Sequence, residues 1–238
     1  MLPILISLGP IKIYSYGVFL AIGLFIGLYF WWKMGRDEHW DEIALFDGFF
    51  LSVLTYFVVG RMGYVALHWA EVGTLYRSLA LLAYPGINVV SGIVGSALLM
   101  ILFARNHDWQ VWKMADAYVV TLALVLVFGG IGTILNGTNP DWRVNVWGGV
   151  FALITFAVVS RVRKDFRFYS WYKGGASMAQ EGLASLIFLN LVGVYYLGLR
   201  EFVPGILLNA VSGYTIYRRI GRRESTIWGK LSNIIRRK

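Results

Sequence analysis

Arg61 is the residue of this sequence best placed to do chemistry, because it interrupts a long apolar segment. It stands in the run Gly60-Arg61-Met62-Gly63-Tyr64, inside the apolar stretch 43–69. A charged side chain near the centre of a bilayer costs about 2.5–3.5 kcal/mol on insertion scales, so it usually faces a cavity or a partner. The flanking glycines would let a backbone or an anionic headgroup approach closely. Two interpretations stay open: Arg61 binds an anionic group, or it lies at the outer interface and extends its guanidinium into water.

Asn88 and Ser91 are the polar residues of a second stretch, 86–96, which is rich in glycine and serine. Its small residues recur four positions apart, a spacing typical of closely packed membrane helices. Packing alone explains the glycines, whereas an amide and a hydroxyl in a membrane helix need a polar partner. Asn88 and Ser91 are therefore candidate binding residues.

A third stretch, 129–138, reads Gly-Gly-Ile-Gly-Thr-Ile-Leu-Asn-Gly-Thr. Glycines this dense either end a helix or let a ligand reach the backbone. The three histidines, His39, His68 and His107, have no metal-ligand spacing, and the chain contains no cysteine. We therefore expect no metal, no cofactor and no thiol nucleophile, and the residues alone assign no catalytic group.

The elements that position these residues are predicted to be membrane helices. Hydrophobic residues make up 58% of the 238 residues and charged residues only 15%, whereas soluble domains carry roughly 25% charged residues. So few charges could not cover the apolar surface in water, and the apolar content also excludes a disordered chain. The composition predicts an all-α integral membrane protein, because lipid-exposed loops and open sheet edges are excluded from hydrocarbon.

About seven apolar segments have the length of a transmembrane helix, which needs about 20 residues. They form one predicted transmembrane domain, 1–217, followed by a basic, amphipathic cytoplasmic tail, 218–238. We recognise no internal repeat in the sequence. The segments lie near residues 13–32, 43–69, 87–104, 117–135, 144–160, 182–199 and 202–217.

Lysine and arginine predict the orientation of these segments, because cytoplasmic connections carry the excess of both. Most of the 22 basic residues fall in the first, third and fifth connections and in the tail. This distribution predicts an external N-terminus and a cytoplasmic C-terminus. The basic and aromatic run 161–173 could also bind single-stranded nucleic acid. The cytoplasmic rim of a membrane domain explains the same residues better, so we expect no nucleic-acid partner.

At these residues the sequence resembles the bacterial prolipoprotein diacylglyceryl transferase family, over roughly residues 5–137. The resemblance implies a seven-helix protein of the bacterial plasma (inner) membrane that moves diacylglycerol from phosphatidylglycerol to the lipobox cysteine of a prolipoprotein. Phosphatidylglycerol or another anionic phospholipid and a prolipoprotein signal peptide are then the expected partners. Four stretches carry the resemblance: Ser7–Gly17, the GR-x-GY motif Gly60–Val65, the stretch Gly86–Arg105 with Gly92-Ile93-Val94-Gly95, and the signature helix Met114–Gly137.

Several polar positions of the family are replaced in this sequence. The family histidine before its double glycine is Val90 here, and the first glycine is Ser91. In the signature helix the family arginine, asparagine and glutamate are replaced as well. Their positions hold Gly130, Thr133 and Thr138.

The retained family residues complete the set of predicted substrate-binding residues. Arg200 joins them because it follows, one turn on, the place of a later family arginine. The predicted substrate-binding residues are Tyr16, Arg61, Gly86, Asn88, Ser91, Asn136, Gly137 and Arg200.

Three functions stay open at this point. The first is diacylglyceryl transfer in a divergent family member, and the second is a catalytically degenerate relative that binds lipid or lipopeptide without turnover. Loss of one donor that stabilises the transition state typically costs a hundredfold or more in rate, so the replaced positions leave enzymatic activity an open question. A small-molecule transporter is the third and least favoured, because few charges lie along the helices and no repeat is recognised.

Overall fold

A computed structural model describes residues 4–8, 11–79, 86–138, 141–172 and 181–235 of the chain. Contacts divide the chain into two compact units. Unit 1 comprises Met1–Gly23 and Leu122–Lys238, and unit 2 comprises Leu24–Thr121.

The described chain starts with a β-hairpin, an element that the sequence analysis did not predict. Strand β1 (Ile4–Leu8) pairs antiparallel with β2 (Ile11–Tyr14), with Leu8 opposite Ile11 and an irregularity between Ile4 and Ile6. Alternating isoleucines on both sides of a Gly-Pro pair favour such a hairpin. The hairpin leads directly into the first helix.

Each of the seven predicted apolar segments lies mostly in helix, and the first begins with two residues of β2, Ile13 and Tyr14. Among the described residues, five helices are long and apolar enough to cross a membrane, and α8 is a shorter apolar helix. Two short helices, α3 and α4, follow α2. The helices are α1 (Ser15–Asp37), α2 (Glu42–Leu67), α3 (Trp69–Val72), α4 (Leu75–Leu79), α5 (Val89–Asn106), α6 (Val111–Asn136), α7 (Trp142–Tyr172), α8 (Leu183–Gly198) and α9 (Phe202–Ile235).

Helices α7 and α9 extend well past the predicted apolar segments. Residues 161–172 contain neither glycine nor proline, so nothing in the sequence ends α7 where its apolar part stops. Helix α9 likewise runs on to Ile235, through the predicted boundary at 217. The tail's side chains after Arg218, its last residues 236–238 and the basic position Lys173 lie outside the described residues, so the amphipathic tail stays a prediction.

The core of unit 2 contains tryptophans that tie the helix ends together. The indole Nε1 of Trp31 donates to the buried carbonyl of Leu45 over 2.8 Å. Trp40 and Trp109, in the turns before α2 and α6, stack with ring centroids 4.5 Å apart and planes 6° from parallel. Two turns that lie far apart in the sequence are therefore in direct contact.

Helix α5 has a buried face of small residues and an exposed apolar face. Both faces repeat every four residues, as the side chains on one side of a helix do. Since the exposed face is apolar in a chain of membrane helices, it suits contact with lipid. The buried residues are Gly92, Ser96, Met100 and Ala104, and the exposed ones are Val90, Val94, Leu98 and Leu102.

In unit 1, α8 and α9 form a tight helical hairpin. A Cβ on Gly193 would lie 2.5 Å from the Asn209 amide nitrogen, and a Cβ on Gly205 would lie 3.0 Å from the Gly193 carbonyl. The Asn190 amide donates to the Ser212 hydroxyl over 3.3 Å, across the two helices. Small residues and one interhelical hydrogen bond thus hold this hairpin, as is usual in membranes.

Candidate functional site

Arg61 lies buried on α2, with 6% of its surface exposed. Its guanidinium donates to three backbone carbonyls of the connection between α2 and α5. Nε donates to Ser78 over 2.8 Å, Nη1 to Gly86 over 2.9 Å and Nη2 to Arg77 over 2.7 Å. Arg61 also lies 5.6 Å from the ring centroid of Tyr64, in a cation–π geometry.

This arrangement contradicts the interpretation in which the Arg61 guanidinium reaches water, whereas binding of an anionic group stays a prediction. The side chain does not extend into water, and three of its five N–H donors are committed to the protein backbone. Carbonyl oxygens compensate a buried guanidinium because each accepts a charge-assisted hydrogen bond. The contact therefore ties α2 to α4 and to Gly86, just before α5.

The other residues of the GR-x-GY motif pack against the start of α5. A Cβ on Gly60 would lie 3.2 Å from the Asn88 carbonyl oxygen, and a Cβ on Gly63 would collide with the Ser91 side chain. The Tyr64 ring occupies the space beside Gly86 and stacks on His68 at 4.3 Å. We call Gly60, Arg61, Gly63 and Tyr64, together with Gly86, Asn88 and Ser91, the α2–α5 cluster.

Asn88 and Ser91 find their polar partners within this cluster. The Asn88 side-chain oxygen accepts from the Ser91 backbone N–H over 2.9 Å and caps α5. The Ser91 hydroxyl donates to the Asn88 carbonyl over 3.0 Å, and the Asn88 N–H donates to the Gly60 carbonyl over 2.9 Å. Both residues thus define how α5 begins and how it attaches to α2.

Val90 lies on the exposed apolar face of α5, with 53% of its surface accessible. It precedes Ser91 but belongs to the opposite side of the helix from Gly92 and Ser96, which are buried. The position at which the resemblance expects a histidine therefore carries an apolar side chain outside the α2–α5 cluster.

Tyr16 contacts the glycine-rich end of α6, inside unit 1. A Cβ on Gly132 would lie 3.0 Å from the Tyr16 Cα and 3.3 Å from its carbonyl oxygen. Gly132 therefore lets the first turn of α1 approach α6 backbone to backbone. Tyr16 itself is half-buried there.

Asn136 is the last residue of α6 and carries an unsatisfied polar group. Its amide nitrogen donates to the Thr138 hydroxyl over 3.4 Å. Its amide oxygen is buried and, within the part of the chain that the structure describes, accepts no hydrogen bond. Buried acceptors without a donor are rare and costly in folded proteins, and they often mark a functional position.

Gly137 follows with φ 65° and ends α6. Its N–H and that of Thr138 both donate to the Thr133 carbonyl, at 3.0 and 3.3 Å. The Thr133 hydroxyl donates to the Gly130 carbonyl over 2.8 Å. Gly137 thus serves the left-handed end of the helix, whereas Thr133 satisfies itself within the helix.

Gly130 is the crossing point of α6 and α7. A Cβ at this position would lie 2.7 Å from the Gly149 Cα, closer than real Cβ contacts come to backbone. Since the sequence analysis marks Gly130 as the place of a family arginine, the helix crossing has closed the space that an arginine side chain would need.

Two exposed arginines lie at helix ends. Arg77, on α4, is exposed, and its carbonyl accepts from Arg61 within unit 2. Arg200 is exposed in the turn between α8 and α9, where it adopts φ 65° and its N–H donates to the Leu197 carbonyl over 3.0 Å. Arg200 therefore offers a solvent-facing charge in unit 1.

The predicted site residues fall into three groups. The α2–α5 cluster brings together Arg61, Gly86, Asn88 and Ser91. Tyr16 contacts α6, at whose end Asn136 and Gly137 lie, and Arg200 occupies a separate turn of unit 1. The described residues contain no group of three or more His, Asp and Glu side chains suited to a metal.

The sequence analysis missed the roles of Arg77 and Gly149. Adjacent glycines after Trp147 were a signal for a close helix crossing in the fifth apolar segment. Nothing in the sequence distinguished Arg77 from the other basic residues of the connections.

Comparison with known proteins places these residues in a family. A family model described as prolipoprotein diacylglyceryl transferase matches residues 3–140, which include the whole α2–α5 cluster, Tyr16, Asn136 and Gly137. The match agrees with the resemblance predicted from the four sequence stretches, and it ends before α7.

Individual relatives carry the name phosphatidylglycerol–prolipoprotein diacylglyceryl transferase. The protein from Agrobacterium fabrum is 27% identical over 236 residues, covering 91% of this chain and 76% of the relative. The protein from Synechococcus elongatus is 28% identical over 148 residues, covering 60% and 51%. Transferase 2 from Clostridium perfringens is 30% identical over 131 residues, covering 53% and 50%.

The chain spans about half the length of the Synechococcus and Clostridium relatives. The family model nevertheless matches more than half of the 238 residues, and the five apolar helices long enough to cross a membrane agree with a multi-pass membrane protein. This chain belongs to the prolipoprotein diacylglyceryl transferase family.

Proposed function

We propose that this protein transfers the diacylglyceryl group of phosphatidylglycerol to the lipobox cysteine of a prolipoprotein. The observation that carries the proposal is the buried amide oxygen of Asn136, which accepts no hydrogen bond from the described residues and stands at a position that the resemblance retains. A free acceptor there suits a donor brought by a substrate, such as the cysteine S–H, the glycerol hydroxyl or a peptide N–H.

The bonds formed and broken in the reaction determine which groups the site must supply. The cysteine sulfur forms a bond to the glyceryl carbon, the bond from that carbon to the phosphate oxygen breaks, and glycerol phosphate leaves with the thiol proton. Asn136 is suited to orient the S–H group, since an amide oxygen accepts a hydrogen bond but is no base. The α2–α5 cluster holds the start of α5 against α2.

Exposed arginines are the proposed partners of the lipid phosphate. Arg77 and Arg200 are exposed, and a guanidinium group can bind two phosphate oxygens at once. Arg61 is assigned to the backbone around Gly86 and Arg77, so it acts on the phosphate through the position of Arg77.

We also propose how the protein is oriented in the membrane. Seven crossings with an external N-terminus and a cytoplasmic C-terminus put Arg77 and Arg200 on the external side, in the bacterial inner membrane. The distribution of lysine and arginine supports this orientation. Phosphatidylglycerol and the signal peptide of an exported prolipoprotein would both reach the site from that side.

A second candidate function is binding of phosphatidylglycerol or a lipopeptide without turnover. Two observations favour it: α7 closes the space at Gly130, and Val90 stands on the exposed face of α5 where the resemblance expects a histidine. Loss of one electrostatic donor alone can cost a factor of about a hundred or more in rate.

One experiment separates the two candidates. The purified protein is placed in phosphatidylglycerol nanodiscs with a fluorescent lipobox peptide, and a variant peptide with serine in place of the cysteine serves as control. Formation of diacylated peptide from the cysteine peptide alone supports the transferase. Saturable binding without product supports the second candidate, and neither product nor binding rules out both.

A further inference from the structure

Two segments of the chain, 17–67 and 86–136, have the same length and align without a gap. The residues identical between them are concentrated at glycine, tryptophan and charged positions, where structure constrains the residue type. The identical pairs are Gly17 and Gly86, Gly23 and Gly92, Arg36 and Arg105, Trp40 and Trp109, Asp47 and Asp116, Val58 and Val127, Gly60 and Gly129, and Gly63 and Gly132.

Three of the four helix boundaries agree with this alignment, whereas α1 starts five residues earlier than α5 does in the alignment. The first helix of the first segment ends at Asp37 and that of the second at Asn106, which are aligned positions. The second helices, Glu42–Leu67 and Val111–Asn136, start and end at aligned positions. Both segments therefore consist of a helix, a short turn and a 26-residue helix.

The two turns share an unusual backbone. The residue before each tryptophan adopts a left-handed conformation without being glycine: φ is 60° at His39 and 54° at Asp108. Each tryptophan N–H then donates to the carbonyl five residues earlier, from Trp40 to Gly35 over 3.1 Å and from Trp109 to Ala104 over 2.8 Å. A positive φ is uncommon in residues other than glycine. Among the described residues it also occurs at Arg200, where α8 ends, so what supports the relationship is that His39 and Asp108 occupy aligned positions.

We propose that 17–67 and 86–136 are two copies of one helix–turn–helix element, and that Gly63 and Gly132 are equivalent positioning residues, each for the substrate-binding residue that it contacts. In each copy this glycine admits the start of the first helix of the other copy. Gly63 lies against Ser91 near the start of α5, within unit 2, and Gly132 lies against Tyr16 near the start of α1, within unit 1.

A second pair of contacts, between the same pairs of helices, repeats this relationship. A Cβ on Gly95 would lie 2.7 Å from the Val59 Cβ, and a Cβ on Gly23 would lie 2.7 Å from the Phe128 Cβ. Val59 and Phe128 are aligned positions. Their glycine partners differ by about one helical turn in the alignment, so the two copies have the same packing with a small shift along the first helix.

The two copies differ at the residue that follows Gly60 in the first copy and Gly129 in the second. Arg61 in the first copy donates to three carbonyls of the connection before α5. Its counterpart, Gly130, lies against Gly149 of α7. One copy fills this place with a guanidinium and the other with a neighbouring helix, which accounts for the difference between an arginine and a glycine.

The positioning role of the two glycines rests on the proposed function, because it assumes that Tyr16, Asn88 and Ser91 bind substrate. The proposal departs from the sequence analysis, which recognised no internal repeat. Eight aligned residues are identical, and half of them are glycines. The helix ends and the two left-handed residues at aligned positions therefore carry the relationship.

The first test compares Gly63→Ala and Gly132→Ala with Gly129→Ala, a control because a Cβ on Gly129 meets nothing within 4 Å. The KM for phosphatidylglycerol should rise about tenfold or more in both variants, with a smaller change in kcat, since misplacement of a binding group by about 1 Å costs up to a hundredfold. The control should stay within about twofold. The positioning role is wrong if either variant behaves like the control.

The second test needs no activity, so it stays informative even where the proposed function fails. The three residues between the shared arginine and tryptophan are exchanged between the turns: residues 37–39 receive Asn-His-Asp and residues 106–108 receive Asp-Glu-His. The exchanged protein should stay monodisperse, with a thermal midpoint lowered by no more than about 4 °C. His39→Val is the control that should lower the midpoint further, because a β-branched residue resists φ 60°. An exchanged protein less stable than this control would overturn the proposed repeat.

Discussion

Gly130 and Gly149 lie backbone to backbone where α6 crosses α7, with 2.7 Å between a Cβ placed on Gly130 and the Gly149 Cα. This contact explains why the position cannot hold the arginine that the resemblance expects. It also means that catalytic features of other family members cannot be restored here by single substitutions.

Gly130→Arg combined with Val90→His should therefore not create or raise transferase activity. Gly130→Ala alone should lower the free energy of unfolding by about 1–3 kcal/mol, because overpacking forces the two helices apart. The measurement is thermal unfolding in detergent beside the peptide assay. Gly129→Ala serves as the matched control and should unfold like the unmodified protein. A stable, more active arginine variant would refute the closure of this space.

Arg61→Ala should lower the free energy of unfolding by about 3 kcal/mol or more, because three backbone carbonyls lose a charged donor. Arg61→Lys should restore less than half of this loss, since an ammonium group cannot reproduce the planar fork that reaches Ser78, Gly86 and Arg77. Thermal unfolding checks both values. Arg105→Lys, at an exposed position, should have no measurable effect. A lysine variant as stable as the parent would show that the carbonyl contacts contribute little.

Asn136→Ala should separate function from stability. Its unpartnered oxygen stabilises nothing within the described chain, so the free energy of unfolding should change by less than about 1 kcal/mol. Transfer to the lipobox peptide should fall about a hundredfold or more. The control is Thr155→Val, which also removes a buried, unpartnered oxygen and should leave both quantities unchanged. Equal loss of activity in the two variants would mean that Asn136 has no special role.

Arg200→Gly should stabilise the α8–α9 turn while weakening lipid binding. Glycine relieves the left-handed backbone at φ 65°, which is worth up to about 1 kcal/mol. Loss of the guanidinium should raise the KM for phosphatidylglycerol and reduce its dependence on salt. Arg200→Lys in the same assays distinguishes charge from backbone conformation. An unchanged KM in both variants would remove Arg200 from the proposed lipid site.

Much of the fold could be predicted from the sequence because membrane helices follow from apolar length alone. Arg61 and the Gly60–Tyr64 motif were predicted to form a site because a charged residue is unusual within an apolar segment. The partners of Arg61 could not be foreseen, since Ser78 and Gly86 contribute backbone carbonyls, which every residue has. The closure at Gly130 depends on Gly149, and sequence alone does not pair two glycines on different helices.

The proposed helix–turn–helix repeat also bears on the hypothesis that the protein is a transporter. The absence of a recognised repeat was one of two arguments against transport, and the proposed repeat would remove it, because parallel repeats occur in transporters. The scarcity of charged residues along the helices still opposes it. Substrate-dependent flux in liposomes would be needed to prefer transport over lipid transfer.

The measurement that tests the central claim most directly is transfer of diacylglycerol to a lipobox peptide by the purified protein in phosphatidylglycerol nanodiscs. The account predicts a peptide whose mass increases by one diacylglyceryl group on cysteine, with release of glycerol phosphate and strong dependence on Asn136. No diacylated peptide, under conditions in which another member of the family produces it, would contradict the proposed transferase activity.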